Sequence, residues 1–234
     1  MTTNIVMLAK DRLGLTMQAL STLYEHTDPE TFNLTIVDDE SRAVSEGYLA
    51  LMAAKSNCTV LRNVKSKKIT GQVRNLAVYW AERYWGRGDF LYLSDNDVYF
   101  TKDWLVKLAG LFRQAEKSGF KLLGACNHPF LGSTGCEPVV AGNEGFILHA
   151  HDAVAGVSQL MRWFTWDKYG PLDAHAVGVG QSEDWAFCQK IVQDGFKVGS
   201  IAPFLVWDCA ATNSYGEPAT GAGVIPRLAG ALVE

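Results

Sequence analysis

What the sequence lacks narrows it first. No apolar run is long enough to span a bilayer, and the stretch from Asn4 to Ala9 is too short, and lacks the basic start, for a secretory signal. No CxxC pair occurs. The five cysteines, Cys58, Cys126, Cys136, Cys188 and Cys209, are odd in number and fit neither a disulfide framework nor a zinc site, so reduced thiols in a cytoplasmic protein are expected. Surplus positive charge is missing as well: a formal net charge of −4 and a pI near 5.7 argue against general affinity for nucleic acid or an anionic membrane. Neither an internal repeat nor a linker composition is visible.

What is present is a chain of 234 residues, 48% hydrophobic and with seven tryptophans, enough to bury a large core in one α/β domain. Residues 4–9 (NIVMLA), 33–38 (NLTIVD), 58–61 (CTVL) and 89–93 (DFLYL) are short and almost continuously apolar, as strands buried on both faces are. Between them, Leu13, Met17, Leu20 and Tyr24, and then Val73, Leu76, Ala77, Trp80, Ala81 and Tyr84, recur with a helical period. Strand and helix in alternation predict a mostly parallel sheet flanked by helices on both sides. Ligands of such sheets bind beyond the carboxyl ends of the strands.

That rule gives meaning to an unusual pair of acids. In YLSDNDVYF (92–100), Asp95 and Asp97 follow an apolar run directly, and like charges so close need a cation, a donor or water to compensate them. Asp38 and Asp39, in IVDDES, are expected to stand at the same end of a neighbouring strand and to face the same crevice. The plain alternative is that Asp95 and Asn96 only form a turn.

Further along, a helix is expected after Thr101 as N-cap, burying Trp104, Leu105, Leu108, Leu111, Phe112 and Ala115. Strands are expected over 120–125 and 145–150, with a short one from Pro138 to Ala141 inside a Gly/Pro-rich loop. A helix is expected from Ala153 to Phe164. Another follows Ser182 as N-cap and stops before Gly195. The tail from Ala210 reads as loop.

Four of these stretches together resemble the family 2 type of glycosyltransferase with the GT-A fold: NIVMLAKDR, IVDDES, GQVRNLAVYWA leading to DFLYLSDNDVYF, and GQSEDWAFCQKIVQDGFKVG. The resemblance spans about residues 4–205. It implies a Rossmann-like sheet whose first half, about 1–100, binds a nucleotide-sugar donor and whose second half, about 101–234, binds a hydroxyl acceptor such as a glycan. It implies a divalent cation, Mn²⁺ or Mg²⁺, at the Asp-x-Asp motif, with Asp97 as direct ligand and Asp95 on the ribose or a metal-bound water. Ala9, Lys10, Arg12, Asp38, Asp39, Gly71, Arg74 and Asn96 match donor-binding positions. Arg74 would anchor ribose or phosphate, unless it is simply a solvated helix charge. Asp184, beside Glu183, matches the base that deprotonates the acceptor in an inverting transfer. Trp185 and Tyr215 are candidates to stack on acceptor sugars, with Trp166 and Tyr169 in a neighbouring loop.

The chain departs from that pattern where many members carry a metal-binding His: FLVWDCA offers Asp208 instead, still an oxygen ligand suited to Mg²⁺ or Mn²⁺. Three rivals remain at this level. One is a retaining transferase on the same fold. A nucleotidyltransferase is disfavoured, because MLAKDRLGL has a single glycine where a triphosphate loop would be Gly-rich. The last is a binding module without chemistry. The basic run Lys65, Lys67 and Lys68 and the histidines His128, His149 and His151 are given no role.

Overall fold

A computed structural model describes residues 1–63, 70–126, 139–141, 145–173 and 182–209. Lys65, Lys67, Lys68, His128, Cys136, Pro138, Tyr215 and the tail from Ala210 lie outside them.

The strands are β1 (Thr3–Ala9), β2 (Phe32–Asp38), β3 (Cys58–Arg62), β4 (Phe90–Asp95), β5 (Val98–Phe100), β6 (Phe120–Gly124), β7 (Val139–Ala141), β8 (Phe146–His151), β9 (Ser158–Met161), β10 (Lys197–Ala202) and β11 (Val206–Asp208). The helices are α1 (Leu13–His26), α2 (Ala43–Met52), α3 (Thr70–Trp85), α4 (Trp104–Lys117), α5 (Trp163–Tyr169) and α6 (Glu183–Gln193), with a short 3-10 turn at Pro29–Thr31. One nine-stranded sheet runs in the order β3-β2-β1-β4-β9-β6-β10-β8-β7. Its strands point one way except β9 and β8, which run against their neighbours.

The first four strands are apolar at nearly every position because both faces are covered. Ile5 and Met7 of β1 face α1, α2 and α4 in one core. Val6, between them, faces the other way, into a second core with α3, α5 and α6. Alternate side chains of one strand thus serve two cores. Among the described residues no helix is long and apolar enough to cross a membrane, and Cys58, Cys188 and Cys209 are free thiols.

Three sequence expectations are overturned. The helix expected from Ala153 to Phe164 is instead the strand β9, inserted antiparallel between β4 and β6, with α5 starting only at Trp163. All four residues of β9 are buried, and a short, fully buried strand has no period to separate it from a helix. Thr101 does not cap α4. Its hydroxyl donates to Leu205 O at 2.8 Å, and the N-cap is Asp103, in left-handed backbone and without a side-chain cap bond. Third, the two acidic strand ends are not on adjacent strands, since β1 separates β2 from β4. The helix α2 had no counterpart in the sequence reading.

The fold fixes the Asp-x-Asp turn from both sides. β4 leads into Asp95, and after Asp97 the chain enters β5, which pairs only with β11 in a two-stranded ribbon. Trp104 packs against Tyr92 of β4 at 4.8 Å and Phe100 of β5 at 4.6 Å between ring centroids, and its indole N–H donates to Thr27 Oγ1 at 2.8 Å. One ring therefore holds the strands on either side of the turn. Trp104→Ala should lower unfolding free energy by about 3–5 kcal/mol, while Val106→Ala, on the same helix but 61% exposed, should change it by less than about 0.5 kcal/mol; urea unfolding measures both.

Candidate functional site

Two acidic clusters line the carboxyl edge of the sheet. The first is built on the turns after β1 and β2. Asp38 is buried, and its Oδ1 accepts from the Ser41 N–H at 3.0 Å. Asp39 is fixed by three neighbours: its N–H donates to Ala9 O at 2.8 Å, its Oδ1 accepts from Asn63 Nδ2 at 2.7 Å, and Lys10 Nζ donates to its carbonyl at 2.7 Å. Ala9, Lys10, Asp38 and Asp39 thus stand together, as the sequence anticipated. Ser41 and Asn63 belong to the same assembly and carried no sequence signal, because they act through backbone and amide contacts rather than through a motif.

The second cluster is the Asp-x-Asp turn. Asp95 Oδ1 accepts from Arg74 Nη2 at 2.7 Å. Asp97 Oδ2 is paired with Arg12 Nη1, and its carbonyl accepts from the Cys209 N–H at 2.8 Å. The register of the ribbon sets Asp208 opposite Val98, next to Asp97 in the chain. Asn96, expected on the donor, is buried instead. Its amide donates to Thr16 Oγ1 at 2.6 Å and so ties the turn to α1.

Arg74 joins this turn to the start of α6. It is 4% exposed, which excludes a solvated helix charge. One side of its guanidinium meets Asp95, and Nη1 lies 3.8 Å from Glu183 Oε1. Burial works against its positive charge, but Asp95, Glu183 and Asp184 more than restore it, so its pKa rises. Gly71, one turn earlier on α3, packs where a Cβ would lie 3.3 Å from Glu183 Cβ; it brings the two helix starts together and has no side chain for a donor.

Asp184 is held by Ser182 and by two backbone donors. Gly156 N–H donates to Oδ2 at 2.8 Å, Trp185 N–H to Oδ1 at 2.8 Å, and the Ser182 hydroxyl to Oδ1 as well. Ser182 is also the N-cap of α6, as expected. Glu183 differs: burial pushes its carboxyl up, with Arg74 opposing. Trp185 is 39% exposed beside Asp184. Gly156 was not legible as a site residue. It has no motif, yet a Cβ there would sit 1.7 Å from Arg74 Nη1, so its missing side chain is the space the guanidinium occupies.

Burial, then the charges of Asp95 and Asp208, push the Asp97 carboxyl up to about 7, with Arg12 only partly offsetting them. Among the described residues no three His, Cys, Asp or Glu side chains are grouped as a closed metal cage. Asp97 and Asp208 nevertheless fit a hard divalent cation, which typically takes one or two carboxylates and completes its shell with phosphate oxygens and water. The repulsion that Asp95 and Asp208 exert on Asp97, which Arg12 only partly offsets, is what such an ion would relieve.

No protein-family model matches the sequence, and no curated protein sequence does. Solved structures do match in shape. TarS residues 1–349 from S. aureus superposes with a TM-score of 0.65 at 14% identity, covering 90% of this chain and 61% of that one. GalNAc-T7, solved with UDP, GalNAc and Mn²⁺, gives 0.69 at 14%, covering 88% and 43%. The mannosyltransferase PcManGT from Pyrobaculum calidifontis, solved with GDP-Man and Mn²⁺, gives 0.63 at 12%, covering 88% and 56%. The chain has the GT-A fold. It spans less than two thirds of the length of each of these neighbours. They share the fold and little sequence, so membership of family 2 does not follow from them.

Two predictions come from this geometry. Gly156→Ala should displace the Arg74 guanidinium and cost about 1–3 kcal/mol as an overpacked site, whereas Arg74→Ala, which leaves two half-buried acids without their cation, should cost more, up to about 3–5 kcal/mol; chemical unfolding ranks them. The second concerns pH. A carboxyl that titrates higher folded than unfolded holds an extra proton between the two pKa values, so the folded state loses stability as pH rises through that window. In EDTA, Asp97→Asn should be more stable than the parent at about pH 8, and the gain should shrink as pH falls and vanish only below about pH 3, where folded and unfolded parent are both protonated.

Proposed function

We propose that this chain is a glycosyltransferase that moves one sugar from a UDP- or GDP-sugar to an acceptor hydroxyl, with a divalent cation, Mn²⁺ or Mg²⁺, and inversion at the anomeric carbon. The observation that carries the reading is the Arg74 bridge: it places the donor-side acid Asp95 and the acids at the start of α6 in one connected cluster at the carboxyl edge of a GT-A sheet. The neighbours solved with UDP or GDP-Man together with Mn²⁺ support it by fold.

In this reading Asp38 and Asp39 receive the nucleoside, with Ala9 and Lys10 forming the wall beside them. Asp97 and Asp208 would hold the cation, which when bound neutralises the diphosphate as it leaves. Asp184 is the base. The backbone N–H groups of Gly156 and Trp185 fix the direction of its carboxylate toward the acceptor's hydroxyl. Glu183, whose carboxyl burial pushes up against the opposing Arg74, stands beside it. The exposed indole of Trp185 beside the base offers a face on which an acceptor sugar can stack. The free thiols suit a reducing compartment.

A panel of UDP, GDP, CDP and dTDP, each with Mn²⁺ and with EDTA, tests the donor half by thermal shift. One diphosphate is expected to stabilise the protein by about 2.7 kcal/mol at a hundredfold excess over its dissociation constant, and only with metal. Asp97→Ala should abolish that response. Asp184→Asn should keep it while lowering turnover by about 10²–10⁴-fold. Normal turnover by Asp184→Asn would overturn the base; stabilisation by a nucleotide with no donor hydrolysis or transfer would leave a binding module.

A further inference from the structure

Asp97 already has a cation. Arg12 reaches it across 85 residues of sequence, and both side chains are largely buried. The turn that delivers Arg12 is built for the purpose. Asp11 and Arg12 both have φ of 51°, the left-handed region that side chains with a Cβ avoid. Bonds from outside the turn hold that shape: Asp11 N–H to Ser41 Oγ at 2.7 Å, Arg42 N–H to Asp11 Oδ1 at 2.8 Å, and Thr16 N–H to Arg12 O at 3.0 Å. Unfavourable backbone retained beside a cluster of acids is a feature of functional sites.

The charges around the turn divide in a specific way. Arg74 is committed to Asp95 and Glu183 from below and is locked under Gly156. Arg12 comes from the nucleotide side and meets Asp97. A divalent cation bound by Asp97 would stand within a few ångströms of the Arg12 guanidinium, and two positive centres cannot share one carboxylate without strong repulsion. A diphosphate arriving with the cation supplies new negative charge beside the same arginine, and a guanidinium suits phosphate oxygens.

We infer that Arg12 is an internal counter-ion that competes with the divalent cation for Asp97, and that it transfers to the donor diphosphate when the cation and nucleotide bind together. The cation site is thereby kept weak until the donor is present. This inference rests on the proposed function, in which Asp97 holds a metal.

The test compares the parent chain with Arg12→Gly and Arg12→Lys. Glycine tolerates the left-handed backbone, so Arg12→Gly removes the charge while preserving the turn; lysine keeps the charge and checks that any effect is electrostatic. Mn²⁺ binding is measured by titration calorimetry without nucleotide, and UDP and GDP binding by thermal shift with Mn²⁺. Arg12→Gly is expected to bind Mn²⁺ alone about tenfold or more tightly than the parent, the scale of one charge-assisted hydrogen bond, and to bind the diphosphate more weakly. Arg12→Lys should lie close to the parent in both. Equal Mn²⁺ affinity in the parent and Arg12→Gly, with binding lost in Asp97→Ala, overturns the competition and leaves the metal site standing. If no form binds Mn²⁺, with or without UDP or GDP, the metal reading itself falls, and the inference with it.

Discussion

One buried guanidinium sets the geometry on which the rest of the site depends. Arg74 lies on α3, yet its partners come from the end of β4 and the first turn of α6, and the loop before β9 closes over it at Gly156. Three parts of the chain far apart in sequence are thereby held in register at one point. Such an arrangement is costly to assemble, because a charge taken out of water is stabilised only if its partners are placed well. Once assembled it resists small displacements, because moving any one partner leaves a buried charge exposed to the others. In the proposed function, a donor site and a base acting on the same anomeric carbon would need that kind of fixed separation.

The sheet supplies the frame for this contact. Because β1 lies between β2 and β4, Asp38 and Asp39 are spaced from the Asp-x-Asp turn by one strand instead of being forced together with it. β9 has a less obvious part. By entering antiparallel between β4 and β6 it brings residues 154–157 up against the end of β4, and Asp95 N–H donates to Val157 O at 3.4 Å. The same segment supplies the N–H that orients Asp184. An insertion in the sheet thus becomes the link between the two halves of the site.

How much of this is legible in the sequence depends on the kind of signal each part leaves. The strands β1 to β4 and the helices α1, α3 and α6 have apolar spacing or caps that read directly, and the acids at strand ends follow from the rule that parallel sheets bind ligands there. β9 left no period to read. Arg74 left a motif but not its burial, since nothing in GQVRN says whether the guanidinium turns outward to a phosphate or inward to Asp95. Gly156, Ser41 and Asn63 left nothing, because a missing Cβ and a backbone contact have no pattern along the chain. Asn96 shows the opposite case: it sits within the motif, yet it works as a tether to Thr16.

The balance of charge gives the site its direction of response. Around the turn, Asp95, Asp97, Asp208, Glu183 and Asp184 face two guanidiniums; burial and then the neighbouring acids raise the carboxyl of Asp97, while at Glu183 burial raises it against the opposing Arg74. A protein selected only for stability would remove one of these acids, since each adds repulsion that burial magnifies. In the proposed function, a cation held by Asp97 and Asp208 would offset part of that repulsion. Because Trp104 packs on both β4 and β5, the strands flanking the turn are held together, and the crowded acids stay at the carboxyl edge of the sheet.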